Sequence, residues 1–215
     1  MYEIIPSPGT FIKSEEEWAE KIELVRPFAK TIHVDVVDGI FAPNTTFAEP
    51  EHFLKFSKDF ILEVHLMVDE PVKHLQKWAD AGFQRFIGQI EKMSDQAEFV
   101  AEAEMLGEVG LALDKPSGVD AIKVSLSDLD ALLVMTIQAG LSGQKFEEQL
   151  LEKVKQLRAK TDLPIEVDGG INDQTIEVAA AAGANRFVAT SFIYNSQTPE
   201  KQFQILQDRL KFLTP

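Results

Sequence analysis

The sequence contains no cysteine. That excludes a disulfide scaffold, a thiol nucleophile and any metal centre held by thiolates. Positive charge is scarce as well: 21 Lys and Arg stand against 35 Asp and Glu, a formal charge of −14. Such a surface repels phosphate backbones and anionic lipid at long range, so no nucleic-acid partner and no membrane partner is expected. No stretch approaches the roughly 18 uncharged apolar residues of a membrane-spanning helix. The opening Met1–Pro6 has neither a basic region nor a long apolar run and does not read as a signal peptide, which points to a cytoplasmic protein. Glycine motifs for nucleotides are missing too. The first candidate strand runs into Ser7-Pro8-Gly9-Thr10, which is neither G-x-G-x-x-G nor G-x-x-x-x-G-K-[ST], and this counts against an open doubly wound sheet.

What is present is the composition of a folded globular chain: 215 residues, 45% hydrophobic and 26% charged. Short apolar or β-branched runs mark strands at 2–5, 31–36, 61–68, 85–90, 108–113, 131–137, 164–167 and 185–189. Helical patterns lie between and after them, at 15–30, 50–56, 71–81, 94–106, 118–122, 146–160, 173–182 and 199–213. No linker interrupts the alternation, so a single domain over 1–215 is expected. Eight strands at about 27 residues per unit fall within the compact range of a (β/α)8 TIM barrel with its active site at the C-terminal ends of the strands. An internal echo supports the count. Ala81-Gly82-Phe83-Gln84-Arg85-Phe86-Ile87 resembles Ala182-Gly183-Ala184-Asn185-Arg186-Phe187-Val188, each reading as a helix that ends at glycine and passes into a strand. That spacing suits the third and seventh helices of a barrel.

Polar residues at strand ends need explaining in such a fold. His33 and Asp35 are two apart on the second strand and share a face, His65 sits at a comparable height on the third, and Asp168 ends the seventh. Two imidazoles and two carboxylates meeting there make a four-ligand site for one divalent metal ion, with zinc, iron(II), manganese and cobalt all suited to the donor set. Glu63 shares a face with His65 one layer deeper and has no assigned role. Asp38 before Gly39 reads as a turn residue, and His52 and His74 read as solvated. Small residues then gather on consecutive late loops: Ala139-Gly140-Leu141-Ser142-Gly143-Gln144, Gly169-Gly170, and Thr190-Ser191. Glycines let a backbone bring N–H groups close to an anion, so a phosphate is expected there.

Ordered motifs along nearly the whole chain resemble those of the ribulose-phosphate 3-epimerase family. Its H-x-D-V-M-D-G-x-F-V-P-N is similar to the run from His33 to Asn44, and its H-L-M-V matches His65-Leu66-Met67-Val68. Its V-M-T-V-x-P-G-F-G-G-Q-x-F is similar to the run from Val134 to Phe146, and its V-D-G-G-I matches Val167 to Ile171. Pro6-Ser7 matches its first-strand Pro-Ser. The resemblance implies an isomerase of carbohydrate metabolism, of the pentose phosphate type, acting on a small phosphorylated ketose. It makes His33, Asp35, His65 and Asp168 the metal ligands, and Asp35 and Asp168 the pair that exchanges acid and base roles at C3 through an enediolate. It makes Met67 and Met135 apolar caps over the reacting centre and Ser7 a substrate contact. His65 would then touch the substrate as well as the metal.

The chain departs from the family pattern at several positions. Val37 replaces a third methionine, Gln138-Ala139 an acidic residue and proline, Leu141-Ser142 the usual Phe-Gly, Gln89 a fourth-strand His, and Thr190 a glycine; Ser7-Pro8-Gly9-Thr10 stands for Ser-Ile-Leu-Ser. None removes a ligand or a proposed acid or base. D-Ribulose 5-phosphate and D-xylulose 5-phosphate are the first choice of substrate pair. A hexulose phosphate such as allulose 6-phosphate is the nearest alternative, and a sugar-phosphate-binding barrel without turnover is another. Metal identity and assembly into a homo-oligomer are left open by the sequence.

Overall fold

The computed structural model describes residues 2–213. Eight strands form one parallel sheet: β1 (Glu3–Pro6), β2 (Thr31–Val37), β3 (Ile61–Met67), β4 (Arg85–Gln89), β5 (Glu108–Leu113), β6 (Ala131–Met135), β7 (Ile165–Asp168) and β8 (Arg186–Ala189). Their order is β1-β8-β7-β6-β5-β4-β3-β2, so the sheet curls into a nearly closed barrel in which β1 also pairs with β8. Among the described residues β1 and β2 share no backbone ladder, and side chains join this seam instead. Thr31 donates through Oγ1 to Glu3 Oε1 at 2.6 Å near the N-terminal ends, and Ser7 donates through Oγ to Asp35 Oδ2 at 2.8 Å near the other ends.

The eight expected strands are all present, shifted by no more than two residues. The helical layer is less regular than the pattern implies. Helix α1 (Glu15–Val25) starts at Ser14, whose side chain accepts from the Glu17 N–H, and ends before Pro27, whose ring cannot continue it; the expected extension to residue 30 is therefore not helical. Residues Pro50–Phe56 form a 3-10 helix, and Val119–Ala121 only one 3-10 turn. The third and sixth units begin as 3-10 turns before α2 (Leu75–Asp80) and α4 (Leu151–Arg158). Helix α3 (Gln96–Glu104) is capped by Asp95, and α5 (Thr175–Ala181) precedes a four-residue helix α6 (Ser191–Tyr194) that the sequence pattern did not indicate. The last helix, α7, spans Pro199–Leu210. Gly82 and Gly183 both adopt positive φ, 87° and 110°, just past α2 and α5, the third and seventh connections. The repeated Ala-Gly segments are equivalent turns.

Strand alternation sorts the residues by face. Ile32, Val34 and Val36, Leu62, Val64 and Leu66, and Val109, Leu111 and Leu113 face the helices and belong to one continuous buried cluster. The alternate positions line the barrel interior. Near its C-terminal end these include Val37, Met67, Ile87, Ala112, Leu133 and Met135, a separate apolar cluster. The opposite end is ionic. Arg85 lies 2.9 Å from Glu108 and 3.3 Å from Glu3, and Arg186 lies 3.2 Å from Glu3. No helix among the described residues is long and apolar enough to cross a membrane.

Candidate active site

The polar cluster at the mouth rests on this alternation. Positions 33, 35 and 37 of β2 point inward, and register sets Asp35 beside His65 on β3. Asp168, the final residue of β7, pairs with Met135 on one side and Val188 on the other. His33, Asp35, His65 and Asp168 are all buried and each offers a ligand atom within 4.8 Å of the others. His33 turns Nε2 to Asp35 Oδ1 at 3.2 Å, and His65 turns Nδ1 to the same oxygen at 3.1 Å. Asp168 Oδ2 lies 3.9 Å from His65 Nδ1.

The second nitrogen of each imidazole is also engaged. His33 donates from Nδ1 to Glu63 Oε1 at 2.7 Å, and His65 from Nε2 to Gln89 Oε1 at 2.7 Å. With the outer nitrogens held by acceptors, the inner nitrogen of each ring faces the two carboxylates. Outer-shell acceptors of this kind fix ring orientation at metal-binding histidines. Two imidazole nitrogens and two carboxylate oxygens on one small volume fit a divalent cation of borderline character, and zinc, iron(II), manganese and cobalt all accept such donors.

Charge is distributed unevenly across the cluster. Burial opposes ionisation of Asp35, yet the His33 charge and hydrogen bonds from both imidazoles outweigh it and hold the carboxyl well below the usual range. Asp168 has no such partner; burial first, then the Asp35 charge, pushes it up to about 7. His33 is held protonated well above its ordinary range because the Asp35 charge and hydrogen bonds to Asp35, Glu166 and Glu63 overcome the cost of burial. His65 rises for the same reasons, with Asp35 its main partner. Below His33, burial and the Glu63 charge raise Glu166 to about 7.

The adjoining pocket is lined by Asp35, Met67, Met135 and Asp168 at its inner end and by Gly140, Leu141, Ser142, Gly143, Gly169, Gly170, Thr190 and Ser191 farther out. Thus the strand-end residues and the late loops, separate in sequence, share one cavity. Gly143 and Gly170 have positive φ of 84° and 69°, and among the described residues their N–H groups donate to no protein acceptor. Thr136 donates through Oγ1 to the Gly169 carbonyl at 2.6 Å and ties the loops after β6 and β7 together. Ser7 is buried beside the pocket, bonded to Asp35.

Several expectations need correction. The Ser142 N–H is not free for an anion: it faces Thr10 Oγ1 at 3.4 Å, while Ser142 Oγ accepts from the Thr10 N–H at 3.1 Å. Ser142 stitches the loop after β6 to the loop after β1. Gly9 makes this possible, because a Cβ there would lie 2.9 Å from both Ser142 Oγ and Thr190 Cγ2. His74 is half-buried and its pKa is lowered by desolvation; His52 is half-buried with Nε2 3.4 Å from Glu15. Neither is freely solvated. Asp38 is a turn residue as expected, accepting from the N–H groups of Ile40 and Phe41 at 2.8 Å, and it also receives the Asp69 N–H at 2.7 Å.

Sequence reasoning gave Glu63 no role and missed Glu166 and the arginines beneath them. Their signal was the same two-residue alternation that picked out His33 with Asp35: Glu63 precedes His65 by two, and Glu166 precedes Asp168 by two. Thr10 carried no comparable signal, since it acts on Ser142 across loops distant in sequence.

Comparison with known proteins adds a family to this geometry. The sequence profile described as the ribulose-phosphate 3 epimerase family matches residues 10–194. Ribulose-phosphate 3-epimerase of Schizosaccharomyces pombe is 38% identical over 178 residues, covering 79% of this chain and 77% of that protein. The rice (Oryza sativa subsp. japonica) ribulose-phosphate 3-epimerase, named as a cytoplasmic isoform, is 36% identical over 197 residues, 88% of this chain and 86% of its own. Among solved structures, 3-keto-L-gulonate-6-phosphate decarboxylase of Vibrio cholerae superposes with a TM-score of 0.74 at 12% identity, over 100% of this chain and 99% of that one. At that identity the likeness speaks for the barrel alone.

Proposed function

Because the chain belongs to the ribulose-phosphate 3-epimerase family, we propose that it epimerises a ketose phosphate at C3, with D-ribulose 5-phosphate and D-xylulose 5-phosphate as the substrate pair. The observation that carries this reading is the meeting of Asp35 and Asp168 in one buried pocket beside two imidazoles. Epimerisation removes a proton α to a carbonyl from one face and returns one to the other, and a single side chain cannot serve both faces. A pair in which one carboxyl is ionised and its neighbour holds a proton near pH 7 starts with both roles filled.

Asp35, ionised, takes the C3 proton on one face while Asp168 delivers its own to the opposite face; the reverse reaction exchanges the roles. The pair holds one proton before and after turnover, so it balances. Between turnovers in one direction that proton passes back from Asp35 to Asp168. His33, Asp35, His65 and Asp168 are the residues that hold a divalent cation, which supplies Lewis-acid stabilisation of the charge that develops on the ketose oxygens. Ser7, bonded to Asp35 Oδ2, holds that carboxylate in one orientation and contacts the substrate. Met67 and Met135 cover the reacting carbon with soft apolar surface and keep water from the enediolate. The phosphate lies among Gly140, Leu141, Gly143, Gly169, Gly170, Thr190 and Ser191, with the free N–H groups of Gly143 and Gly170 supporting that placement.

The test is a coupled assay on pentulose and hexulose phosphates, with and without chelator, run beside solvent-deuterium exchange at C3. The expected result is metal-dependent turnover with the larger kcat/KM on the pentulose phosphate and deuterium appearing at C3. A larger kcat/KM on the hexulose phosphate transfers the activity to the six-carbon substrate. Absence of exchange with metal supplied reduces the protein to a sugar-phosphate binder.

A further inference from the structure

We propose that Gln89, Glu91 and Asp114 form a positioning relay that joins the outer nitrogen of His65 to the phosphate-facing loop at Ala139. The inference rests on the reading of the His33–Asp35–His65–Asp168 cluster as a metal site. Its members lie at and just beyond the ends of β4 and β5, strands that supply no metal ligand.

Gln89, the last residue of β4, is fully buried. Its Nε2 donates to Glu91 Oε2 at 2.9 Å, and its Oε1 faces His65 Nε2 at 2.7 Å. An ionised carboxylate only accepts, so the amide has one usable orientation: NH2 toward Glu91, oxygen toward His65. His65 must then carry a hydrogen on Nε2, so Nδ1 is the nitrogen that turns to the cluster and would take the cation. A histidine at position 89 would be able to donate or accept at either ring nitrogen, and would leave that choice open. Glutamine between a carboxylate and an imidazole removes the ambiguity.

The second oxygen of Glu91 continues the chain. Oε1 accepts the Asp114 N–H at 2.9 Å, and Asp114 Oδ1 accepts the Ala139 N–H at 3.0 Å. Ala139 directly precedes Gly140, which has a positive φ of 98° and lines the pocket. Lys153 on α4 donates from Nζ to the Asp114 carbonyl at 2.6 Å and anchors the middle of the relay to the helical layer. Four hydrogen bonds in series thus run from a ligand-bearing imidazole to the backbone that approaches the phosphate. Each group between them has one partner on either side, so displacing one link leaves the next donor or acceptor unpaired.

The test uses the whole chain with cobalt(II) and inorganic phosphate as separate probes. Gln89→Met keeps the shape and removes both hydrogen bonds; it should weaken cobalt(II) binding about 10- to 100-fold, the usual effect of losing an outer-shell partner. Gln89→His should recover most of that loss. Asp114→Ala should weaken inorganic phosphate binding several-fold, and Asp114→Asn, which keeps an acceptor for Ala139, should not. Gln89→Met should also weaken phosphate binding, the signature of a joined path rather than two separate supports. Circular dichroism and thermal melting establish that each variant is folded. A folded Gln89→Met protein with unaltered cobalt(II) affinity, or a folded Asp114→Ala protein with unaltered phosphate affinity, overturns the relay. Failure of the unaltered chain to bind cobalt(II) overturns the metal-site reading itself, and the relay with it.

Discussion

Asp35 and Asp168 are the same residue type a few ångströms from the same imidazoles, yet they differ in proton preference because of what surrounds each. Asp35 collects hydrogen bonds from His33, His65 and Ser7, whereas Asp168 is buried beside an existing negative charge. Replacing Asp168 by Asn keeps the shape and removes the titratable proton. Turnover should fall by about 10²- to 10⁴-fold, the range for loss of a general acid or base, with the fold unchanged by circular dichroism. Retained turnover would break the two-carboxylate scheme. The histidines give a second residue-scale prediction. A cation takes the unprotonated ring, but His33 and His65 are both held protonated above their ordinary range. Metal binding must therefore release protons, and apparent affinity should rise with pH from 6 to 8, by up to about tenfold per pH unit for each proton released. Calorimetry in buffers of different ionisation enthalpy reads this directly; a flat profile without proton release contradicts it.

The elements vary in how firmly their own residues specify them. Central strands of alternating apolar residues were legible to within two positions, because the helix-facing side of every strand is continuously apolar. Helices were placed well and typed poorly. Pro50–Phe56 has a helical pattern but forms a 3-10 segment, which aromatic packing seats on its neighbours. Phe53 contacts Trp18, Trp78 and Phe83, with ring centroids 5.0 to 5.8 Å apart. Phe53→Ala should cost about 3 to 5 kcal/mol, read as a lowered midpoint in denaturant, because three units of the helical layer meet on that ring. The loops yield a sharper test. Gly170 has φ of 69°, and a Cβ there would approach Phe146 Cβ and N to 2.9 Å. Gly170→Ala should cost about 1 to 3 kcal/mol and raise KM for the sugar phosphate, since backbone atoms cannot yield as a flexible side-chain tip does.

At the scale of the whole molecule, a charge of −14 meets a proposed substrate that carries a phosphate. The pocket is lined by two aspartates and by no lysine or arginine. On the proposed function, attraction must come at short range from a cation held at the cluster and from backbone N–H groups, while the long-range field opposes approach. Added salt screens that field, so kcat/KM for the phosphorylated ketose should rise by up to a few-fold between about 10 mM and 150 mM ionic strength. A steep fall with salt would reveal an attractive field instead. The two arginines inside the barrel do not alter this, since both are paired with glutamates at the end of the barrel away from the pocket.

The alternation of strands and helices, the parity that sets His33 beside Asp35, and the motifs shared with the family are local patterns along the chain. Local patterns are what a sequence carries in readable form, and they determined the barrel, the four cluster residues and the late-loop glycines. The tertiary structure alone decided which of the polar residues touch. Whether Glu63 or water holds His33, whether Ser142 offers its N–H to an anion or to Thr10, and whether Gln89 is a neutral replacement or a link to Glu91 all depend on distances of about 3 Å, between residues 24 to 132 positions apart or, for Gln89 and Glu91, two apart where a strand ends. Hydrogen bonding and burial act through space at that range. The unequal proton preferences of Asp35 and Asp168 arise in the same way, from barrel closure that brings β2, β3 and β7 to one point.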